Sequence, residues 1–438
     1  AFGMFEYKIR LRMFRKYFIA VLFFLVFLIL LSARKQEDLN VEPLKVRPIK
    51  RSEMSIPTKK YQRTIDAEDN DVSNFDGPYV IYPKPRKDMS VAISIVIVAT
   101  KGTDMRTYAT ALKSIKCYAA LHNYRLIIEF DDKYRKCAVH KDKFFRRHCH
   151  TLILMQEEIS ENEWLLFLDA DVGVVNPRRL IEEYLEPGYE IYLFDRFYNW
   201  EYAALSYIVK NNQKGKESVN EFANFEFQLP FTFHGSDNGA LHPFLMYYLV
   251  PETRNPETRS RMASLCLTLL HTARSFDDAF EMQACTRMVI GERMHFPEHK
   301  VIIYPKGYGW VHDSAYFHSH WATDDFMMHN LKEPDLVKFP TNVTAQKLCR
   351  DAFLNEQAHK VETQIGVSPC TIVFPVLEKS DLEKCKSASE VWKMESRLQV
   401  DSPTMRMIFD FRANQILKLQ MENVGRIAMK IRDYSPMP

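Results

Sequence analysis

Two aspartates one residue apart, Asp169 and Asp171, close the stretch WLLFLDADVGVVNP that runs from Trp164 to Pro177. An extended backbone turns residues i and i+2 to the same face, so both carboxylates point one way. Held side by side they repel unless positive charge lies between them, and a divalent cation carrying a diphosphate supplies that charge. The competing reading is a solvated turn, where aspartate is tolerated because the strand ends. An isolated Asp-x-Asp does not decide between the two.

The elements around the pair say where it sits. VAISIVIVAT, Val91 to Thr100, is a nearly unbroken β-branched run, which suits a strand covered on both faces. In the segment after it, Ala111, Leu112, Ile115, Tyr118, Ala119 and Leu121 recur at helical spacing. RLIIEF, Arg125 to Phe130, is a second strand, which makes the unit β-α-β. A helix over Phe144 to Ile159, with Phe145, Cys149, Leu152 and Ile159 on one face, then leads into WLLFLD. This alternation predicts an α/β fold with an open, mostly parallel sheet flanked by helices. Ligands bind such sheets at the carboxyl ends of the strands, where Asp169 and Asp171 fall.

The chain of 438 residues has 59 Lys+Arg against 56 Asp+Glu, a balance that gives no reason to expect nucleic acid as a partner. Its start differs from the rest. Tyr17 to Leu31 carries no charge, and with Ser32 and Ala33 it spans roughly 26 Å as a helix, enough for a thin bilayer. Lys8, Arg10, Arg12, Arg15 and Lys16 precede it, which keeps residues 1–16 in the cytoplasm and sends the remainder into the lumen. A retained signal anchor over 17–33 is expected, with a cleaved signal peptide as the alternative. Residues 34–89, rich in Lys, Glu, Asp and Pro, read as a flexible stem, against a small ordered subdomain around GPYVIYPKP. All eight cysteines follow the anchor, in a compartment that permits disulfides. Asn342, in Asn342-Val343-Thr344, is the glycosylation sequon, usable if this half of the chain is lumenal.

Six motifs occur in order: FFRRHC, LFLDADVGVVNPRRLIEEYL, FDRFYNW, SYIVKN, HGSDNGALH and DFMMHNLK. Together they resemble a nematode-expanded family known as a domain of unknown function. That family is similar to GT-A (Rossmann-like) nucleotide-diphospho-sugar transferases, in particular the retaining galactosyl- and xylosyltransferases. The resemblance covers about residues 90–335 and leaves 336–438 as a lumenal extension, with a Cys370–Cys385 disulfide and an amphipathic stretch near Phe411 to Ile431 as expectations.

The resemblance implies a UDP-sugar donor and Mn²⁺, or Mg²⁺ in its place. Asp169 and Asp171 match the metal-binding pair, and His329 matches the histidine that completes the coordination; His312, His318 and His320 are its rivals. Asp237 and Asn238 fall where relatives place a polar pair near the sugar and the attacking acceptor, the alternative being a plain turn in HGSDNG. Arg147 corresponds to a basic residue that faces the nucleotide, and Lys332 to one that meets the departing phosphate. In EYAALSY the chain departs from the pattern, with Ala203, Ala204 and bulky Leu205 where relatives carry a small glycine that lets the backbone approach the donor closely, a departure that speaks against the donor pocket and against activity.

The reading that follows is a Golgi (or other secretory-pathway) type II membrane glycosyltransferase moving a hexose to a glycan acceptor. A catalytically silent lumenal binding protein on the same fold is the alternative. A third reading takes LFLDADVGVV as the nucleophile motif of a haloacid-dehalogenase-like phosphatase, with Asp277 and Asp278 as its second acidic pair.

Overall fold

The computed structural model describes residues 91–250, 256–291, 294–313, 321–322, 325–333 and 400–433, together with the backbone of 79–81. The anchor at 17–33, most of the stem, Asn342, His318, His320 and the Cys370–Cys385 pair lie outside the described residues. Among the described residues, no helix is long and apolar enough to cross a membrane.

The main sheet is built from β1 (Tyr79–Ile81), β2 (Ile93–Ala99), β3 (Arg125–Phe130), β4 (Trp164–Leu168), β6 (Ile191–Phe194), β7 (Ser206–Lys210), β8 (His295–Phe296) and β9 (Val301–Tyr304). A second sheet contains β5 (Gly173–Val174), β10 (Val311–Asp313) and β11 (Met327–His329). The helices are α1 (Ala109–His122), α2 (Lys143–Glu157), α3 (Gln213–Asn224), α4 (Ser236–Leu249), α5 (Pro256–Thr272), α6 (Phe276–Ile290) and α7 (Ser402–Asp433). Strand order in the main sheet is β1-β3-β2-β4-β7-β6-β9-β8.

The sheet matches the expectation of helices flanking a mostly parallel core, with two corrections. β2, β3, β4, β6 and β9 run one way, but β7 is inserted antiparallel between β4 and β6. The link from β6 to β7 contains no crossover helix, and without one the chain returns antiparallel. The second correction is β1. Its three residues come from GPYVIYPKP, within the stretch read as flexible stem, and pair antiparallel with β3 at the sheet edge. A strand this short between prolines carries little periodic signal and suits an edge.

Every residue of β2 is buried, and the alternation of its side chains divides the core in two. Val96 and Val98 pack with Phe145, Leu154 and Phe167 on the α2 side. Ile95 and Ile97 pack with Leu112, Ile115 and Leu168 on the α1 side. Disulfides Cys137–Cys149 and Cys266–Cys285 fasten the loop before α2 to α2, and α5 to α6. The C-terminal helix α7 lays Met405, Phe409 and Ile416 against Phe197 and Ala322.

Candidate metal and donor site

β4 delivers Asp169 to the sheet edge, where its N–H donates to the Leu205 carbonyl at 2.9 Å. The chain then turns, Val172 N–H to Asp169 carbonyl at 3.1 Å, and enters β5. β5 pairs antiparallel with β11, and β11 lies parallel to β10 with Asp313 opposite His329. Leu331 N–H closes the arrangement by donating to the Asp171 carbonyl at 2.9 Å. Gly173 suits this crowding, since a Cβ would lie 2.6 Å from Leu331 Cδ1 and 3.3 Å from Ala111 Cα. Two segments some 160 residues apart are thus stitched together by the small sheet.

Asp169, Asp171 and His329 converge, each with a ligand atom within 4.8 Å of the others. His329 Nε2 lies 3.2 Å from Asp171 Oδ1, while its Nδ1 is 2.6 Å from Asp313 Oδ1. Lys332 Nζ is 3.1 Å from Asp171 Oδ2. On the other side Arg147 bridges the pair to α4, donating to Asp169 and, at 3.0 Å, to Asp237. His148 Nε2 also meets Asp237, at 3.2 Å.

These contacts set the protonation of the site. Burial raises the Asp169 carboxyl to about 6, with Asp171 adding to the rise and Arg147 opposing it. Burial pushes Asp171 the same way, but His329 and Lys332 outweigh it and hold that carboxyl below its ordinary range. Burial disfavours the His329 imidazolium, yet Asp171 and Asp313 overcome this and raise it to about 10. Burial likewise works against the Arg147 guanidinium, and Asp169 and Asp237 more than offset it.

The donor set suits a divalent cation. Two carboxylates and one imidazole are hard-to-borderline ligands of the kind that hold Mn²⁺ or Mg²⁺. With Asp313 against Nδ1, His329 turns Nε2 toward Asp171, the carboxylate–histidine arrangement that orients a metal ligand. In this arrangement Asp171 is met by His329 and Lys332, and Asp169 by Arg147.

Asp237 and Asn238 occupy the first turn of α4, and HGSDNG is a helix start held tightly in place. Gly235 and Ser236 have φ of 71° and 56°, and a Cβ on Gly239 would fall 1.7 Å from the His234 carbonyl oxygen. Asp237 is buried and Asn238 accepts from the Ala204 N–H at 3.0 Å, so the pair braces Arg147 and the start of β7. Leu205 contributes its side chain to the core. Its side chain is buried with Leu166, Leu168 and Val172 in the core on the α1 side.

Among the rivals of His329, His312 points to the other side of β10, with Nδ1 3.8 Å from Asp325. Asp278 of the phosphatase reading accepts from the Arg274 N–H at 2.8 Å and, with exposed Asp277, belongs to the first turn of α6. Three residues were missed in the sequence: Asp313, Arg196 and Glu201. Arg196 donates to Asp313 at 3.0 and 2.8 Å and to Glu201 at 2.8 Å. Asp313 adjoins His312 in the sequence, but alternation along β10 was the only signal that would have favoured it.

Among solved structures, a glycosyltransferase involved in glycosylation of the major capsid of PBCV-1 is similar over 55% of this chain and 92% of its own, at 13% identity and a TM-score of 0.34. The glycosyltransferase GlyE of Streptococcus pneumoniae TIGR4 is similar over 35% of this chain and 43% of its own, at 15% identity and a TM-score of 0.26. No curated protein matches the sequence. A family described as "Protein of unknown function, DUF273" matches residues 115–346, which contain every residue of the metal and donor site, and the chain belongs to that family.

Proposed function

We propose that this protein is a metal-dependent glycosyltransferase of GT-A type that moves a hexose from a UDP-sugar to a glycan acceptor, with retention of anomeric configuration. The observation that carries the reading is the meeting of Asp169, Asp171 and His329 at one strand end. When bound by these three residues, Mn²⁺ or Mg²⁺ would neutralise charge growing on the leaving diphosphate.

The chain's own residues do the rest. Arg147 and Lys332 put positive charge on either side of the aspartates, suited to an anionic donor. Asp237, buried against Arg147 and His148, acts by keeping Arg147 on Asp169, and Asn238 by holding the Ala204 amide. In the cell, the same reading makes the protein a type II protein of the Golgi or another secretory-pathway membrane, with the site in the lumen.

The test is the full chain in detergent, incubated with a panel of UDP-sugars with and without Mn²⁺ and scored for UDP release and transfer. Metal-dependent release from one sugar is expected. UDP binding without turnover would favour a silent binding protein, and no metal-dependent binding at all would overturn the reading.

A further inference from the structure

Behind His329 lies a file of buried ionisable groups that the proposed chemistry does not use. Asp313 is 1% exposed and Glu201 7%, and Arg196 is clamped between them. Taking Arg196 and Asp313 out of water can cost more than their ion pair returns, so stability is a poor explanation of the file by itself. Its geometry leads to one place. Asp313 Oδ1 accepts both from Arg196, at 2.8 Å, and from the His329 ring nitrogen at 2.6 Å.

Arg196 and Glu201 both lie in the turn Asp195–Glu201 after β6, and the turn is held along its length. Arg196 N–H donates to the Glu201 carbonyl at 3.1 Å, and Glu201 N–H to the Tyr198 carbonyl at 2.9 Å. The Asp195 carboxylate is held by Arg287 at 2.8 Å and Lys306 at 2.6 Å. α7 holds the middle. The Phe197 ring stacks on Phe409 at 5.2 Å, and Gln420 Nε2 donates to the Asn199 carbonyl at 2.9 Å.

We propose that this turn, braced by α7, is a positioning device for the metal-ligating histidine: Glu201 grips Arg196, Arg196 holds Asp313, and Asp313 binds Nδ1 of His329 so that Nε2 faces Asp171. The inference rests on the metal reading above. Arg196 and Asp313 are positioning residues, acting only through His329. A bidentate guanidinium fixes the plane of the Asp313 carboxylate, and that plane sets the angle of the imidazole.

The experiment is a Mn²⁺ titration of the full chain, without nucleotide, as wild type, Asp313→Asn, Arg196→Gln and His329→Ala, and with each of the first two substitutions combined with His329→Ala. Loss of a partner behind a metal ligand weakens metal binding by about 10–100-fold, so at least a tenfold loss is expected for Asp313→Asn and about fivefold for Arg196→Gln. In the His329→Ala background both should cost less than about twofold, because a residue that acts through the histidine has nothing left to act on. Equal losses with and without His329 would mean general damage to the site and overturn the proposal. So would unchanged affinity in both single variants. A wild type that binds no Mn²⁺ would remove the metal reading, and this inference with it.

Discussion

With burial raising Asp169 to about 6 and the Asp171 and Asp313 carboxylates raising His329 to about 10, a cation competes with protons for both groups, which makes metal binding sensitive to pH in a defined direction. Below about 6 both are protonated, and from there to about 10 only His329 is. The logarithm of Mn²⁺ affinity should therefore rise with pH at a slope near two below about 6 and near one above it, as titrations at pH 5, 7 and 9 would check. Stability of the metal-free protein should move the opposite way at high pH. The folded-state pKa of His329 is raised, so its contribution is full below about 6.5 and lost as pH climbs toward 10, which thermal unfolding would follow. Asp171→Asn keeps the volume and removes the charge, so Mn²⁺-dependent UDP binding should fall at least tenfold, about 1.4 kcal/mol. The aspartate pair was legible in the sequence because a strand end explains both its spacing and its place. Asp313 and Arg196 were not, because the contact between them spans 117 positions and, although Arg196 lies in FDRFYNW, nothing in that motif points to Asp313.

At the level of elements, the α4 start shows what a short polar motif can hide. HGSDNG reads as a turn by composition, and the structure shows a helix N-terminus so close to its own approach that Gly239 has no room for a side chain. Gly239→Ala should lower stability by about 2 kcal/mol or more and loosen Asp237 from Arg147, read as a drop in unfolding temperature together with weaker UDP binding. The β-α-β start of the sheet was legible because β2, β3 and β4 are long apolar runs with helical periodicity between them. β1 was not, because three residues show no period. Nor was the direction of β7, since an apolar strand reads alike whether it runs parallel or antiparallel to its neighbour.

For the whole molecule, the uncharged run from Tyr17 and its basic flank lead to a prediction about which side of the membrane the site occupies. In sealed microsomes Asn342 should be glycosylated and the C-terminal half protected from added protease. Cleavage of the C-terminal half in intact vesicles would put the site in the cytoplasm instead. The described disulfides suit an oxidising lumen, with Cys137–Cys149 closing a loop near the site.

The docking of α7 on the turn after β6 also bears on the order in which the protein is made. Asn199 must wait for Gln420, 221 positions later, before its carbonyl is bound. At ribosomal rates of about 5–20 residues per second, that wait is roughly 10–45 s. During that interval Asp169 and Asp171 have already been synthesised and the strands from β7 onward are being made, but the turn holding Arg196 lacks its brace. The brace on the turn that holds Arg196 is therefore completed late in synthesis, after both aspartates and His329 have been made.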